Sequence, residues 1–346
     1  MAIMKPMRRI HLSLFALWLS LACAVNAIEL NPLDWFTDDA EITQLRVATE
    51  ADEVAAADQL ELGRSKMAAG KLRSADRTFK KLVENYPLAK ASGEALYLRG
   101  RILMTRERWD KAFKEFQKII FSHPNYENLN QVISAQFECA TAHMEGARGR
   151  ILWVFPGFRQ YDKAINEFEL IVFNAPYGDY APLALMNIAI LAKDYEESSD
   201  VAIDALDRLI NFYPQSMLAP DAYYKLAETY SELVAGSEYD QGSTRDAISY
   251  YEDFLVLFPE SNYSGEVESN LEGMQNLLST SRLNLGDFYY YYRANNTAAL
   301  IFYNEAITIA PDSEAAQEAT ARIDDIEAGV RPINGASFLR KLFLAD

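Results

Sequence analysis

Ala75-Asp-Arg-Thr-Phe79-Lys-Lys-Leu-Val-Glu-Asn-Tyr86-Pro87 decides the fold, because its grammar returns five more times along the chain. Alanine is followed four positions on by a bulky apolar residue and eight positions later by proline. The copies are Ala112/Phe116/Pro124, Ala164/Phe168/Pro176, Ala202/Leu206/Pro214, Ala247/Tyr251/Pro259 and Ala299/Tyr303/Pro311. A pattern returning in one register marks supersecondary units that stack, each burying its apolar face on its neighbours. The chemistry of the members points to helices. A small residue lets two helices approach, an aromatic ring one turn on fills the adjoining space, and proline stops the helix because it lacks an N–H and clashes with the preceding turn. The pattern predicts an all-α solenoid of about six helical hairpins over residues 52–328.

The preceding helices carry their own signal. Leu62-Gly63, Leu226-Ala227 and Leu285-Gly286 are large-then-small pairs, and Gly100 and Ala140 hold the same small position. Together with Tyr223 and Tyr230 these residues resemble the tetratricopeptide repeat, whose period is about 34 residues. The prolines here are 37, 52, 38, 45 and 52 residues apart, so insertions are expected, near 145–160 and 234–244.

Apolar residues make up 50% of the chain, which excludes global disorder, and two cysteines, Cys23 and Cys139, exclude a disulfide framework. Lys5, Arg8 and Arg9 precede the apolar run Ile10–Ala22, which reads as an export signal over residues 1–27. Two processing sites fit: cleavage after Ala27, or lipidation of Cys23 within Ser20-Leu21-Ala22-Cys23. The protein is therefore expected to be exported, with an acidic segment over 28–51 and a short basic, apolar tail over 329–346 that caps the solenoid or meets a partner.

Charge is uneven. Residues 28–59 hold nine acidic residues against one basic, residues 60–170 hold 19 basic against 13 acidic, and residues 171–346 hold 10 basic against 28 acidic. The basic first half suits solubility or an acidic partner segment, and the net charge of −17 argues against nucleic acid. One face of each first helix is expected to line a concave peptide groove. Its candidates are Leu60, Arg64 and Met67, then Tyr97, Arg101 and Met104, then Phe137 and Met144. Methionines and aromatics adapt to an apolar peptide, and arginines bind carboxylates. Part of this stripe also reads as packing between repeats.

The first insertion is apolar at its centre, with Ile151, Leu152, Trp153 and Phe155 flanked by Arg148, Arg150 and Arg159. It reads either as a private patch of core or as a partner-binding loop. Catalytic signals are weak. Cys139 and His143 lie one helical turn apart but fall at packing positions. No second Cys/His pair completes a metal site, and no nucleophile elbow, zinc-helix or phosphate-loop motif is present. Glu196-Glu197 and Asp324-Asp325 read as solvated helix faces. No enzyme, cofactor or metal is expected.

The assembled features resemble the periplasmic tetratricopeptide lipoproteins of the outer-membrane β-barrel assembly machine, the BamD family. The leader, the acidic stretch, the first hairpin ending at Tyr86-Pro87 and the run Phe258-Pro259-Glu-Ser-Asn-Tyr263 before a long helix carry the resemblance. It implies a non-enzymatic scaffold at the periplasmic face of the outer membrane. Its N-terminal groove would receive unfolded barrel precursors, and its later repeats would hold the β-barrel assembly protein and accessory lipoproteins. A scaffold for cell division or envelope polysaccharide export shares the same repeats and leader.

Overall fold

The computed structural model describes residues 48–147, 161–195, 198–237 and 241–330, with the backbone of 150–151 and 155–156. The leader and tail readings, Cys23, Leu152, Trp153 and Glu196-Glu197 lie outside the described residues.

Thirteen α-helices among the described residues pair in chain order. The hairpins are α1 (Glu50–Ala68) with α2 (Leu72–Asn85), α3 (Lys90–Met104) with α4 (Trp109–Ser122), and α5 (Leu129–Met144) with α6 (Tyr161–Asn174). Then come α7 (Tyr180–Asp194) with α8 (Ser199–Phe212), α9 (Ala219–Glu232) with α10 (Gly242–Leu257), and α11 (Ser264–Asp287) with α12 (Asn296–Ile309). A last helix, α13 (Glu314–Glu327), packs on α11 and α12. The architecture is an all-α solenoid of six hairpins.

Local chemistry sets the helix ends. Thr49 opens α1 with a capping box: its Oγ1 accepts from the Asp52 amide at 3.3 Å, and its own amide donates to Asp52 Oδ2 at 2.9 Å. Every second helix stops two residues before its proline, at Asn85, Ser122, Asn174, Phe212, Leu257 and Ile309. The residue before proline is forced out of the helical region. Tyr86, His123, Tyr213 and Phe258 accordingly sit at φ of −133°, −134°, −130° and −131°.

The Ala/aromatic register is the core. Ala75, Phe79, Ala112, Phe116, Ala164, Phe168, Ala202, Leu206, Ala247, Tyr251, Ala299 and Tyr303 are all buried. Three glycines show how close the approach is. A Cβ added to Gly63, Gly100 or Gly286 would lie 2.2 Å from Phe79, 2.4 Å from Phe116 or 2.4 Å from Tyr303. Each ring lies flat against a backbone that has no side chain at that point.

Two features depart from a uniform repeat. Between α5 and α6 the chain forms a two-residue antiparallel ribbon, Arg150–Ile151 against Phe155–Pro156, with Ile151 opposite Phe155. The stretch 234–244, read from sequence as an insertion, ends early. Helix α10 begins at Gly242, and Thr244 is fully buried. After α11 the residues Phe288–Tyr292 continue as a π-helical turn, with Tyr290 buried and its hydroxyl donating to the Val330 carbonyl at 2.8 Å. No described helix is long and apolar enough to cross a membrane.

Glycine substitutions separate these roles. Gly100→Ala should destabilise by about 1–3 kcal/mol through overpacking against Phe116, despite alanine's better helix propensity. Gly273→Ala, in α11 with nothing within 4 Å of the new Cβ, should stabilise by up to about 1 kcal/mol. Urea unfolding followed by circular dichroism checks both signs.

Candidate functional site

The first helices of successive hairpins run side by side, and one ladder of polar contacts crosses them. Arg64 of α1 donates to Glu94 of α3 at 3.0 Å, and Tyr126 donates to the other Glu94 oxygen at 2.6 Å. Arg101 of α3 reaches Glu138 of α5 at 3.0 Å. Tyr180 of α7 donates to Ser134 of α5 at 2.9 Å, and Lys193 of α7 contacts Glu228 and Glu232 of α9 at 3.1 and 3.0 Å.

The expected groove residues separate along this ladder. Leu60 and Met104 are buried in the packing between helices, so they present no surface to a ligand. Tyr97 and Phe137 are half-buried, each with part of its ring against neighbouring aromatic rings. Tyr97 lies 5.9 Å from the Phe116 ring and 6.5 Å from Tyr126, while Phe137 lies 5.4 Å from Phe168 and 5.1 Å from Tyr180. Met67 and Met144 are part-exposed, and Arg64 and Arg101 are exposed. Both arginines are already paired with glutamates of the next repeat, which the spacing alone did not reveal. An incoming carboxylate would exchange with Glu94 or Glu138 at a half-exposed pair, where such exchange costs little.

The pair Cys139 and His143 was read as core packing, and the structure divides it. Cys139 is fully buried, and burial, seconded by the Glu167 charge, pushes its thiol above the ordinary range, so it is unreactive. His143 is a charge hub. Its Nδ1 faces Glu167 Oε2 at 2.6 Å and its Nε2 faces Asp110 Oδ1 at 3.2 Å, while the Lys163 ammonium lies against the same Asp110 oxygen. Glu167 has no exposed surface at all. The three acceptor and ring groups have the chemistry of metal ligands. Their carboxylates, however, flank opposite ring nitrogens, and positive charge is supplied from within by Lys163. The cluster ties α4, α5 and α6 together. Glu167 betrays it in the sequence, since a carboxylate between Ala164 and Phe168 interrupts an otherwise apolar buried stripe.

Beside it lies a second buried brace. Gln136 donates to Gln117 at 2.5 Å, Gln117 to Asn174 at 3.0 Å, and Asn174 back to Gln117 at 2.7 Å. Outside the groove, large apolar residues stand exposed at the ends of the second helices and in the loops that follow. Phe173, Tyr177, Phe212, Met217, Val256 and Leu257 mark this edge of the third to fifth hairpins.

With this geometry in place, comparison with known proteins is informative. A family profile described as an outer membrane lipoprotein, YfiO, matches residues 158–330, half of the chain, and a tetratricopeptide-repeat profile matches residues 60–127. The chain belongs to the YfiO family of outer membrane lipoproteins. Among curated relatives, the outer membrane protein assembly factor BamD of Rickettsia prowazekii is 29% identical over 152 residues, 43% of this chain and 59% of that protein. The BamD of Caulobacter vibrioides is 22% identical over 132 residues, 37% of this chain and 42% of the relative. The chain thus spans roughly two- to three-fifths of these relatives' length. Among solved structures, a tetratricopeptide repeat protein from Parabacteroides merdae is 14% identical, with a TM-score of 0.32 over 76% of this chain and 96% of that one. The YfiO match begins just before α6 and spans the acidic half, while the basic first two hairpins lie outside it.

Removing the His143 ring strands the buried Glu167 carboxylate in the core. His143→Ala should cost about 3–5 kcal/mol, read as a lowered urea midpoint. In a Cys23→Ser background, a thiol reagent at pH 8 should leave folded protein unlabelled and modify Cys139 only on unfolding; rapid labelling of the native state would contradict its burial.

Proposed function

We propose that this protein is a non-enzymatic scaffold of outer-membrane β-barrel protein assembly, working at the periplasmic face of the outer membrane. Membership of the YfiO family is the observation that carries the reading, and the assembly-factor names of both curated relatives support it. Cleavage after Ala27 and lipidation of Cys23 are the two routes to that location.

The groove of the first three hairpins is the proposed contact for unfolded barrel precursors. Met67, Met144, Tyr97 and Phe137 supply adaptable apolar surface, and Arg64 and Arg101 supply carboxylate donors after exchange with Glu94 and Glu138. Leu60 and Met104 are left out because they are buried. An extended chain alternates its side chains, so it gains from a few anchors spaced along a groove rather than from one deep pocket. The exposed edge marked by Phe173, Phe212, Met217 and Val256 is the proposed seat of the β-barrel assembly protein and its accessory lipoproteins. Exposed apolar residues at equivalent places in successive repeats make a contiguous surface that water disfavours. The ribbon carrying Ile151 and Phe155, on the connection between α5 and α6, is proposed as a further partner contact.

A photo-crosslinking residue at the exposed Arg101 position, introduced in the native envelope, tests the groove. Adducts with barrel precursors are expected, together with co-purification of a large β-barrel assembly protein in gentle detergent. Recovery of division or polysaccharide-export proteins alone would refute the assembly reading. Replacing Phe212 and Val256 by Asp should abolish co-purification of the assembly protein while leaving the Arg101-position adducts.

A further inference from the structure

The acidic half of the chain contains one apolar hollow into which two of its few cations converge. A groove of about 850 Å³ lies between α10 and α12, floored by α11. Leu278 of α11 and Leu300, Ile301 and Ile309 of α12 give it apolar walls, and two cations, Arg245 of α10 and Arg282 of α11, border it against one carboxylate, Glu305 of α12.

Arg282 is the informative residue. It is only 8% exposed, yet its one ionic contact among the described residues is Nε to Glu305 Oε2 at 3.4 Å. A close charged hydrogen bond is about 2.7–2.9 Å, and a guanidinium carries five N–H donors. Glu305 is itself 46% exposed, so much of its charge is spent on water. A nearly buried cation so poorly matched is costly unless an anion meets it. Arg245, at the same groove, is exposed and has no carboxylate partner among the described residues. Arg208 of the same half shows the contrast, held by both oxygens of Glu169 at 2.8 and 3.0 Å.

The apolar component is equally specific. Ile301 is 55% exposed at the middle of the groove. Thr297, Leu300, Ile301, Asn304 and Thr308 recur at three- and four-residue intervals, so one face of α12 lines the hollow along its length. From Thr297 to Ile309 that face runs about 18 Å, three helical turns. Polar groups at each turn suit the side chains of a protein segment; a bare acyl chain would leave them facing hydrocarbon.

We propose that this groove binds an acidic, aliphatic-rich helical segment of a partner protein, its carboxylates on Arg282 and Arg245 and its aliphatic side chains against Leu300, Ile301 and Ile309. The mode is helix-in-groove docking, with apolar anchors at i, i+3, i+4 and i+7 and the anion supplying orientation. The site is separate from the groove of the first hairpins and does not depend on the assembly reading.

The probe is a fluorescein-labelled helical peptide of about 12 residues, the span of the groove, with Leu at those anchor positions and Glu on the flanking ones. A second peptide carries Lys in place of every Glu, and laurate serves as a lipid competitor. Anisotropy titration of the full chain should show binding of the acidic peptide, at least tenfold weaker, about 1.4 kcal/mol, for the Lys peptide. Arg245→Gln and Arg282→Gln should each weaken the acidic peptide several-fold, and Ile301→Asp should abolish its binding. Arg245 and Ile301 are exposed, so those two variants keep the test decisive even where Arg282→Gln unfolds. Equal binding of the Lys peptide, undiminished binding by the Arg245 and Ile301 variants, displacement by stoichiometric laurate, or no binding up to ~1 mM, a free energy near −4 kcal/mol, would each overturn the proposal.

Discussion

An aromatic ring laid against a bare stretch of helix backbone is the contact on which the other features depend. Phe79 on Gly63, Phe116 on Gly100 and Tyr303 on Gly286 leave no room for a single added carbon. That closeness sets the distance between the two helices of a hairpin. It therefore sets which face of each first helix is left to meet the next hairpin. Because helix interiors are packed nearly as densely as organic crystals, a ring of this size cannot be accommodated by small shifts elsewhere. The groove, the ladder of arginines and glutamates along it and the exposed edge of the later hairpins all inherit their positions from this one spacing.

The second constraint is polar. In the second and third hairpins the helices are held by groups that tolerate no loss of partner. The Gln117–Gln136–Asn174 amides and the Asp110–His143–Glu167–Lys163 cluster lie side by side between α4, α5 and α6. A buried amide or carboxylate left alone costs far more than its bond contributes when made. Such networks select one register among the many that apolar packing alone would allow. They also stand where the third hairpin is interrupted by the ribbon between Arg150 and Pro156, in place of a short loop between its two helices.

Much of the architecture was legible in the one-dimensional pattern. The six prolines end six helices because the missing N–H is a property of the residue itself, and the Ala/aromatic register is buried throughout because its period matches that of a helix. The site was legible only in part. Arg64 and Arg101 are exposed and Met67 is part-exposed against the core, while Leu60 and Met104 are buried, since a one-residue difference in helix rotation moves a side chain from surface to core. The pairing of Arg64 with Glu94 and of Arg101 with Glu138 joins residues 30 and 37 apart, and no local signal encodes it.

His143 and Arg282 make the same point from opposite directions. A histidine one turn from a cysteine on a helix reads as filler, and becomes a charge hub only when Asp110 and Glu167 arrive from two other helices. Arg282 carries no signal of its own in the sequence, and becomes an under-matched cation only when α10, α11 and α12 close around it. Helix identity, hairpin number and the contrast between a basic and an acidic half belong to the amino-acid order, because they follow from properties each residue carries alone. Which charges are satisfied, which apolar residues stay in water and where a hollow forms were settled by the packing of distant helices, because burial is a relation between surfaces that meet only in three dimensions.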